Sequence, residues 1–297
     1  MDLNCSVVNN SEAALILFQQ VGYTPVFAVG LPLNISALWF FFRIRHWTST
    51  HIYMFNLMLA DFLLILFLPF RIFDTFCPMR PSEFCTFLIC VHYSNMYVSI
   101  FTIAVISAHR FIAIKFPLLT KALEARKKAI AKIVCVLIWM MVMSICTSFL
   151  DNLRKDKLRK CYVHRADRQL QLSFLLVLEI VGYLLPIAII TICSTQAICT
   201  ILKSTEADGS LQQFEKKDVL ERKRIVAIIT ANMIVFIVCF TPIHISYLVS
   251  YLSPHEPGKV KFSSVFYEVS EWIATTNCCL DSVGYYLLLK KVFRAKS

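Results

Sequence analysis

Long apolar stretches recur along the chain and make up most of its length. The first, residues 21–42, has 22 residues without a charge. As a helix rising about 1.5 Å per residue, it would cross a hydrocarbon layer of roughly 30 Å. Six more stretches follow, at about 52–76, 85–115, 129–150, 170–202, 225–252 and 262–289, and they leave residues 1–20 and 290–297 outside. The pattern predicts an all-α membrane protein in which residues 1–297 form one bundle of seven transmembrane helices.

The composition agrees with a membrane protein, because 58% of the residues are hydrophobic and only 16% are charged. Soluble domains average about half apolar and a quarter charged residues. The first twenty residues carry Asp2 and Glu12 and lack a basic start and a small-residue cleavage site. They do not match a secretory signal, so the first span is expected to act as its own insertion signal.

Lys and Arg residues indicate how the bundle lies in the membrane. Most of them lie in the loops after the first, third and fifth spans and in the C-terminal tail. Basic residues concentrate on the cytoplasmic side of membrane proteins, so these segments are expected in the cytoplasm and the N-terminus outside the cell. Basic residues at the inner face meet anionic lipid, so the net charge of +11 does not indicate a nucleic-acid partner. The pattern predicts a multi-pass plasma-membrane protein, with glycosylation acceptor sequences at Asn4 and Asn9 outside the cell.

The exception is the predicted extracellular loop 151–169, which carries seven basic and three acidic residues. One interpretation is a solvated loop that attracts nothing specific. The other is a positive funnel that steers an anion toward the bundle. The basic residues are Arg154, Lys155, Lys157, Arg159, Lys160, Arg165 and Arg168.

Four of the twelve cysteines, Cys5, Cys77, Cys85 and Cys161, could face an oxidising exterior. Most of the others lie within spans, where cysteine behaves as a small hydrophobic residue. A bridge between Cys85, which opens the third span, and Cys161 would hold the loop after the fourth span over the bundle. A second bridge between Cys5 and Cys77 is left open by the sequence.

Two aspartates, Asp61 and Asp281, lie near mid-depth of the second and seventh spans, where a buried charge is costly. Asn95 and Ser99 are four residues apart on the third span, as are Asn277 and Asp281 on the seventh, so each pair shares a helix face. Carboxylate, amide and hydroxyl oxygens suit a hard cation. The five residues predict either a sodium site or a hydrated polar network in which one carboxyl group is protonated.

Arg71 lies ten residues outward of Asp61, and Glu271 lies ten residues outward of Asp281. Because the second and seventh helices run antiparallel, Arg71 and Glu271 are expected at equal depth, roughly 15 Å above the aspartates. Two interpretations follow. The pair is a permanent structural salt bridge, or Arg71 exchanges its partner for an anionic ligand.

Aromatic and polar residues predict a ligand pocket in the outer half of the bundle. On the third span His92 and Met96 recur at helical spacing, beside Tyr93 and Tyr97. Such a stripe is usually packing, but its continuity with a histidine and a tyrosine on the sixth span favours a pocket. The predicted ligand-binding residues are Arg71, His92, Tyr93, Met96, Tyr97, Phe174, His244, Tyr247 and Glu271.

Short motifs occur in the order in which one receptor family carries them, and Cys85 precedes Arg110 by that family's spacing. By these motifs, from about residue 20 to residue 297, the chain resembles the rhodopsin-like (class A) G-protein-coupled receptors. The motifs are Asn34, Leu57-Met58-Leu59-Ala60-Asp61, Trp139, Pro186, Cys239-Phe240-Thr241-Pro242 and Asp281-Ser282-Val283-Gly284-Tyr285. The stretches at 68–73 and 277–286 are similar to the purinergic-like branch. The likeness is greatest to its lysophospholipid-type receptors, including the lysophosphatidylinositol receptor and the kynurenic-acid-responsive receptor.

The resemblance implies a receptor without enzymatic activity or cofactor, apart from an allosteric sodium ion, that activates a heterotrimeric G protein. It supports the Cys85–Cys161 bridge and adds a short amphipathic cytoplasmic helix after the seventh span. The implied activation switch is Ile100, Pro186, Phe236, Phe240 and Tyr285, and the implied G-protein-coupling residues are His109, Arg110, Phe111, Pro117 and Leu118. Together with the basic outer loop, it favours an anionic extracellular ligand, a lysophospholipid or a small carboxylate.

The cytoplasmic side departs from the family pattern. The usual Asp-Arg-Tyr is His109-Arg110-Phe111, and Ser282 replaces the proline that normally kinks the seventh span. Ser194 replaces a tyrosine of the fifth span, and Arg222 stands where a carboxylate would pair with Arg110. The missing acids at His109 and Arg222 predict a weakly restrained resting state or unusual coupling, whereas Ser194 and Ser282 act in the opposite direction by weakening the active state. They also leave open a decoy receptor that binds ligand without signalling.

Other classes of membrane protein fit the sequence less well. A transporter would favour paired half-repeats and helices broken near a midplane site, and seven spans have no even halves. The chain carries no His-Glu-x-x-His or Gly-x-Ser-x-Gly motif for an intramembrane enzyme. Residues 262–289 contain no lysine to hold retinal as a Schiff base.

Overall fold

Seven long helical segments form the bundle in the computed structural model, which describes residues 10–122, 125–150, 158–164, 171–209, 216–252 and 257–294. The segments are α1 (Asn10–Phe42), α2 (Ser49–Phe76), α3 (Glu83–Lys115), α5 (Lys127–Leu150), α6 with α7 (Leu172–Glu179 and Leu185–Gly209), α8 (Lys216–Leu252) and α9 (Pro257–Arg294). A short helix, α4 (Pro117–Ala122), follows α3, and a hairpin of β1 (Leu158–Lys160) and β2 (Val163–His164) follows α5. The predicted seven-helix fold is confirmed.

Six of the described helical segments are long and apolar enough to cross a membrane. The seventh, α9, is more polar because it carries Glu268, Glu271 and Asp281. It packs mainly against α8 and α1, and both glutamates are buried. Glu268 and Glu271 therefore face protein rather than lipid, as charged residues within a span must.

Three helix boundaries differ from the predicted spans. α1 begins at Asn10 and α8 begins at Lys216, so both helices extend past the apolar stretches. α9 runs unbroken to Arg294, so the short C-terminal helix expected as a separate element is a continuation of the seventh span. With Ser282 in place of proline, backbone hydrogen bonding continues through this region.

The fifth span changes its helical winding at Ile180–Leu184, which form a π-helical turn between α6 and α7. Pro186 follows directly and has no N–H to donate to the preceding turn, which is a common cause of such an irregularity. Here the N–H of Leu185 donates to the carbonyl oxygen of Ile180. Gly182 in this turn lies against the third span, because a Cβ atom there would come 2.8 Å from Cε1 of Tyr97.

Two side-chain hydrogen bonds join three helices in the bundle core. The side-chain amide of Asn56 on α2 donates to Oγ1 of Thr102 on α3 at 2.9 Å. Nε1 of Trp139 on α5 donates to Oδ1 of Asn56, also at 2.9 Å. Trp139 was a sequence landmark, whereas Asn56 and Thr102 were not singled out. Each such buried hydrogen bond contributes about 1 kcal/mol to stability and fixes the register of the helices.

The predicted Cys85–Cys161 disulfide is present and joins the start of α3 to the hairpin turn. The N–H of Cys161 also donates to the carbonyl oxygen of Met79 at 3.1 Å. Tyr162 follows with a φ of 65°, in the left-handed region that bulky residues rarely adopt. Cys77 is disulfide-bonded as well. Cys5, whose pairing with Cys77 the sequence left open, lies outside the described residues, as do Asn4 and Asn9.

Candidate functional site

The outer half of the bundle contains a buried ion cluster centred on Arg71, whose side chain is 4% exposed. Its Nη2 lies 2.6 Å from Oε2 of Glu271 and 3.2 Å from Oε2 of Glu268. The structure thus shows the pair expected from the depths of α2 and α9 and adds a second carboxylate. Glu268 was not predicted as a site residue, although it precedes Glu271 by three positions and so shares its helix face.

Groups from three other segments, α1, α3 and the hairpin, complete the ion cluster. Nε2 of His92 on α3 lies 3.3 Å from Oε1 of Glu271, and Nε2 of Gln19 on α1 donates to Oε2 of Glu268 at 2.6 Å. The Arg71 guanidinium lies over two aromatic rings, Tyr23 at 4.9 Å and Tyr162 at 4.4 Å. Burial raises the pKa of the Tyr162 hydroxyl, opposed by the nearby Arg71 charge. Sequence reasoning missed Gln19, Tyr23 and Tyr162, because no spacing rule relates a loop or α1 to α2.

An aromatic column leads inward from the ion cluster. The hydroxyls of Tyr93 on α3 and Tyr267 on α9 share a short hydrogen bond. The ring of Tyr267 lies 6.1 Å from that of Tyr247, which lies 5.6 Å from the ring of His244. Tyr97 contacts His244 at 6.1 Å from the α3 side. Met96 belongs to the same buried core, and Phe174 packs against it, so the predicted pocket residues come together.

A buried imidazole–carboxylate pair forms the inner end of this column. Nδ1 of His244 on α8 lies 3.4 Å from Oε1 of Glu179 on α6. The Tyr183 ring stacks on the imidazole at a centroid distance of 4.5 Å, and its hydroxyl bonds to Oγ1 of Thr241 at 2.7 Å. Glu179 was not predicted as a site residue, because sequence gives no pairing between the fifth and sixth spans.

The predicted sodium-site residues lie at mid-depth on three helices. The amide of Asn95 donates to Oδ1 of Asp61 at 2.9 Å, and the amide of Asn277 donates to Oδ2 of Asp281 at 2.7 Å. Oγ of Ser99 and Oδ1 of Asn277 are buried and have no hydrogen-bond partner among the residues that the structure describes. Buried hydroxyl, amide and carboxylate oxygens are the ligands that a hard cation takes, so the chemistry of these residues fits a sodium ion. No group of three or more His, Cys, Asp or Glu suited to another metal occurs within the described residues.

The implied activation switch lies in the bundle core below the aromatic column. Ile100 and Phe236 are fully buried, and Phe236 contacts Phe240 at a ring distance of 5.3 Å. Pro186 is buried beside them, at the end of the π turn. The side chain of Tyr285 lies outside the described residues.

The C-terminal end of α3, which the sequence predicts to be cytoplasmic, carries the predicted G-protein-coupling residues. His109 packs edge-on against the ring of Tyr53 at 5.7 Å, and Arg110 forms no ion pair with any described carboxylate. Lys115 lies over the Phe111 ring at 5.2 Å. Pro117 opens α4, and Leu118 is 81% exposed there, so an apolar side chain is available to a cytoplasmic partner.

The Arg222 side chain and most of the basic outer loop lie outside the described residues. Arg159 and Lys160 stand on β1, but only their backbone is described. The funnel predicted for this loop therefore stays a prediction.

Comparison with known proteins places these features in one family. A family model described as "7 transmembrane receptor (rhodopsin family)" matches residues 33–285. G-protein coupled receptor 55 of Mus musculus is 31% identical to this chain, and the aligned region covers 97% of this chain and 90% of that receptor. Lysophosphatidic acid receptor 6 of Gallus gallus is 30% identical over 89% of this chain and 87% of its own. G-protein coupled receptor 35 of Mus musculus is 28% identical over 89% and 82%.

The matched region contains Arg71, Glu268 and Glu271 of the ion cluster, the aromatic column and the mid-membrane polar site, together with every sequence landmark from Asn34 to Tyr285. The relatives are receptors and not enzymes, as the sequence predicted. The name of the chicken relative agrees with the finer resemblance to lysophospholipid-type receptors. The chain therefore belongs to the rhodopsin family of seven-transmembrane receptors.

Proposed function

We propose that this receptor binds an anionic ligand, a lysophospholipid or a small carboxylate, and activates a heterotrimeric G protein in response. The observation that carries the proposal is Arg71, a buried cation held by exchangeable carboxylates at the outer end of an aromatic column. A lipid tail would lie against the column and the apolar faces around it. The name of the chicken relative, a lysophosphatidic acid receptor, supports this ligand class.

The geometry of the ion cluster indicates how an anion is admitted. Two carboxyl groups face one guanidinium, so they share a single cation. Glu271 contacts Arg71 through both oxygens, at 2.6 and 3.4 Å. Glu268 makes one longer contact of 3.2 Å and keeps a second partner, Gln19. The ligand anion therefore replaces Glu268 and leaves the Arg71–Glu271 pair intact.

The substitution Glu268→Gln should raise the affinity for an anionic ligand by roughly ten-fold or more, because it removes a nearby like charge from a site of low dielectric. The measurement is guanine-nucleotide exchange on added G protein with 1-oleoyl-glycerol-3-phosphate, alongside binding of the same probe. Glu83→Gln is the matched control, since Glu83 is an exposed carboxylate at the start of α3.

Two outcomes would contradict this proposal. In the first, a cationic amine is the best agonist of the wild-type receptor and binds more weakly to Glu268→Gln. The ligand would then be a cation and not an anion. Binding of the probe without nucleotide exchange would identify a decoy receptor. The exposed Leu118 supports coupling, as does Arg110, which has no ion pair with any carboxylate that the structure describes. With His109 turned to Tyr53 rather than to Arg110, the resting state is weakly restrained.

Sodium is proposed to bind at Asp61, Asn95, Ser99, Asn277 and Asp281 and to oppose the agonist. If activation narrows this site, ion and agonist exclude each other by linkage, and the expected change in agonist affinity is about five-fold or more. The measurement compares agonist binding in sodium with binding in a bulky organic cation at equal ionic strength, in the wild type and in Ser99→Ala. If the wild-type receptor binds the agonist with equal affinity in the two salts, sodium does not oppose the agonist.

A further inference from the structure

Two free cysteines meet where α3 packs against α5. The thiol of Cys90 on α3 forms a side-chain hydrogen bond with the thiol of Cys146 on α5. Oγ of Ser94 lies 3.5 Å from Sγ of Cys146 and 3.9 Å from Sδ of Met143. Because Ser94 follows Cys90 by four residues, both side chains lie on one face of α3. This face meets Cys146, so the two thiols are neighbours across a helix–helix contact.

The thiol pair lies toward the end of the bundle that the sequence predicts to be extracellular. Cys90 is five residues, roughly 7 Å, from Cys85 along α3, and Cys85 is itself oxidised in the bridge to Cys161. Cys90 is partly exposed at the surface of the bundle, whereas Cys146 is buried. A small uncharged oxidant can therefore reach the pair through Cys90, from a compartment in which disulfides persist.

The surroundings of Cys146 favour reaction of its sulfur. The form of cysteine that attacks an oxidant is the thiolate, and hydrogen bonds to a charged form stabilise it. A Cys146 thiolate would accept from the Cys90 thiol and from the Ser94 hydroxyl, since both already contact its sulfur. The same contact places a second thiol beside the first, which is the arrangement of a thiol with its resolving cysteine.

We propose that Cys90 and Cys146 form a reversible disulfide when the receptor meets a peroxide. The thiolate attacks one peroxide oxygen and the O–O bond breaks, which gives a sulfenic acid and, with one proton, a water molecule. The second thiol attacks the sulfenic sulfur, the S–S bond forms, and the hydroxyl group leaves with the thiol proton as a second water. In total, two thiols and one hydrogen peroxide give one disulfide and two waters. The peroxide takes up the two electrons that the sulfurs lose.

A Cys90–Cys146 bridge would attach α3 to α5 just before the ligand site. His92, which contacts Glu271 in the ion cluster, follows Cys90 by two positions. A covalent link between the two helices should raise the thermal midpoint of the receptor by about 5 °C. No ligand takes part in this reaction, so the inference does not depend on the proposed function.

Oxidation of the purified full-length receptor in phospholipid nanodiscs tests the bridge. After treatment with graded hydrogen peroxide, the remaining thiols are blocked with N-ethylmaleimide and the peptides are mapped by mass spectrometry without reduction. We expect the Cys90 and Cys146 peptides to be joined, with the loss of two hydrogen atoms, and to separate again in dithiothreitol. The joined peptide and the rise in thermal midpoint should both be absent from Cys90→Ser.

Cys278 and Cys279 are the matched control, because their sulfurs are also hydrogen-bonded, at 4.0 Å. They are adjacent on α9, where successive side chains point in different directions, so they cannot be bridged without moving the backbone. They should stay unlinked at every peroxide concentration that joins Cys90 to Cys146. The proposal is wrong if peroxide converts Cys90 and Cys146 to unlinked sulfur acids. It is also wrong if both stay reduced while the exposed thiol of Cys199 is oxidised.

Discussion

Replacing Arg71 with alanine should lower the free energy of unfolding by about 3–5 kcal/mol, because it leaves two buried carboxylates without their cation. Glu268 and Glu271 both lie within 3.2 Å of the guanidinium and are buried. The thermal midpoint of the purified receptor measures the loss. Arg80→Ala is the control, since Arg80 is exposed on the loop after α2 and its removal should change stability by less than about 0.5 kcal/mol.

A charge-balanced variant shows whether the loss is electrostatic. Arg71→Ala combined with Glu268→Gln and Glu271→Gln removes the cation and both carboxylate charges together, so most of the stability should return. If the combined variant is no more stable than Arg71→Ala alone, the loss comes from packing against Tyr23 and Tyr162. The affinity for an anionic probe should fall in both variants and be unaffected by Arg80→Ala, because the ligand requires the cation.

Removal of the Cys85–Cys161 disulfide should cost about 2–4 kcal/mol, the usual effect of a bridge that closes a long loop in the unfolded chain. The two cysteines are 76 positions apart. The bridge also holds the hairpin that places Tyr162 over Arg71, so probe affinity should fall in parallel. The variant is Cys85→Ser with Cys161→Ser, and its thermal midpoint and probe binding are measured together.

Cys199→Ser is the matched control for the disulfide variant, because Cys199 is an exposed free thiol on α7. It should change stability by less than about 0.5 kcal/mol. A disulfide variant with the stability of this control would show that Met79 and the surrounding helices hold the hairpin without the bridge. Lost stability with unchanged probe affinity would show that Tyr162 does not contribute to the ligand site.

The sequence predicted those parts of the site that follow from helix geometry. The rise per residue fixes depth along a span, so it related Arg71 to Glu271 across two helices. The i,i+4 rule placed Asn277 beside Asp281, and the structure shows that hydrogen bond. The same reasoning did not find Glu179 as the partner of His244, because helical spacing relates residues on one helix and carries no information about rotation of its neighbour.

By itself the sequence determined the seven-helix membrane fold, because a continuous apolar run of about 20 residues or more crosses hydrocarbon as a helix, which satisfies its backbone groups internally. It also determined which polar residues lie inside the membrane and at what depth. Only the tertiary structure decided which of them meet. It gave Arg71 a second carboxylate, placed Tyr162 over the guanidinium through a disulfide-linked turn, and wound the fifth span through a π turn that brings Gly182 against Tyr97. These contacts depend on how helices are rotated and packed and on where a loop folds back, and such choices are set by the sum of many side-chain contacts rather than by any local pattern.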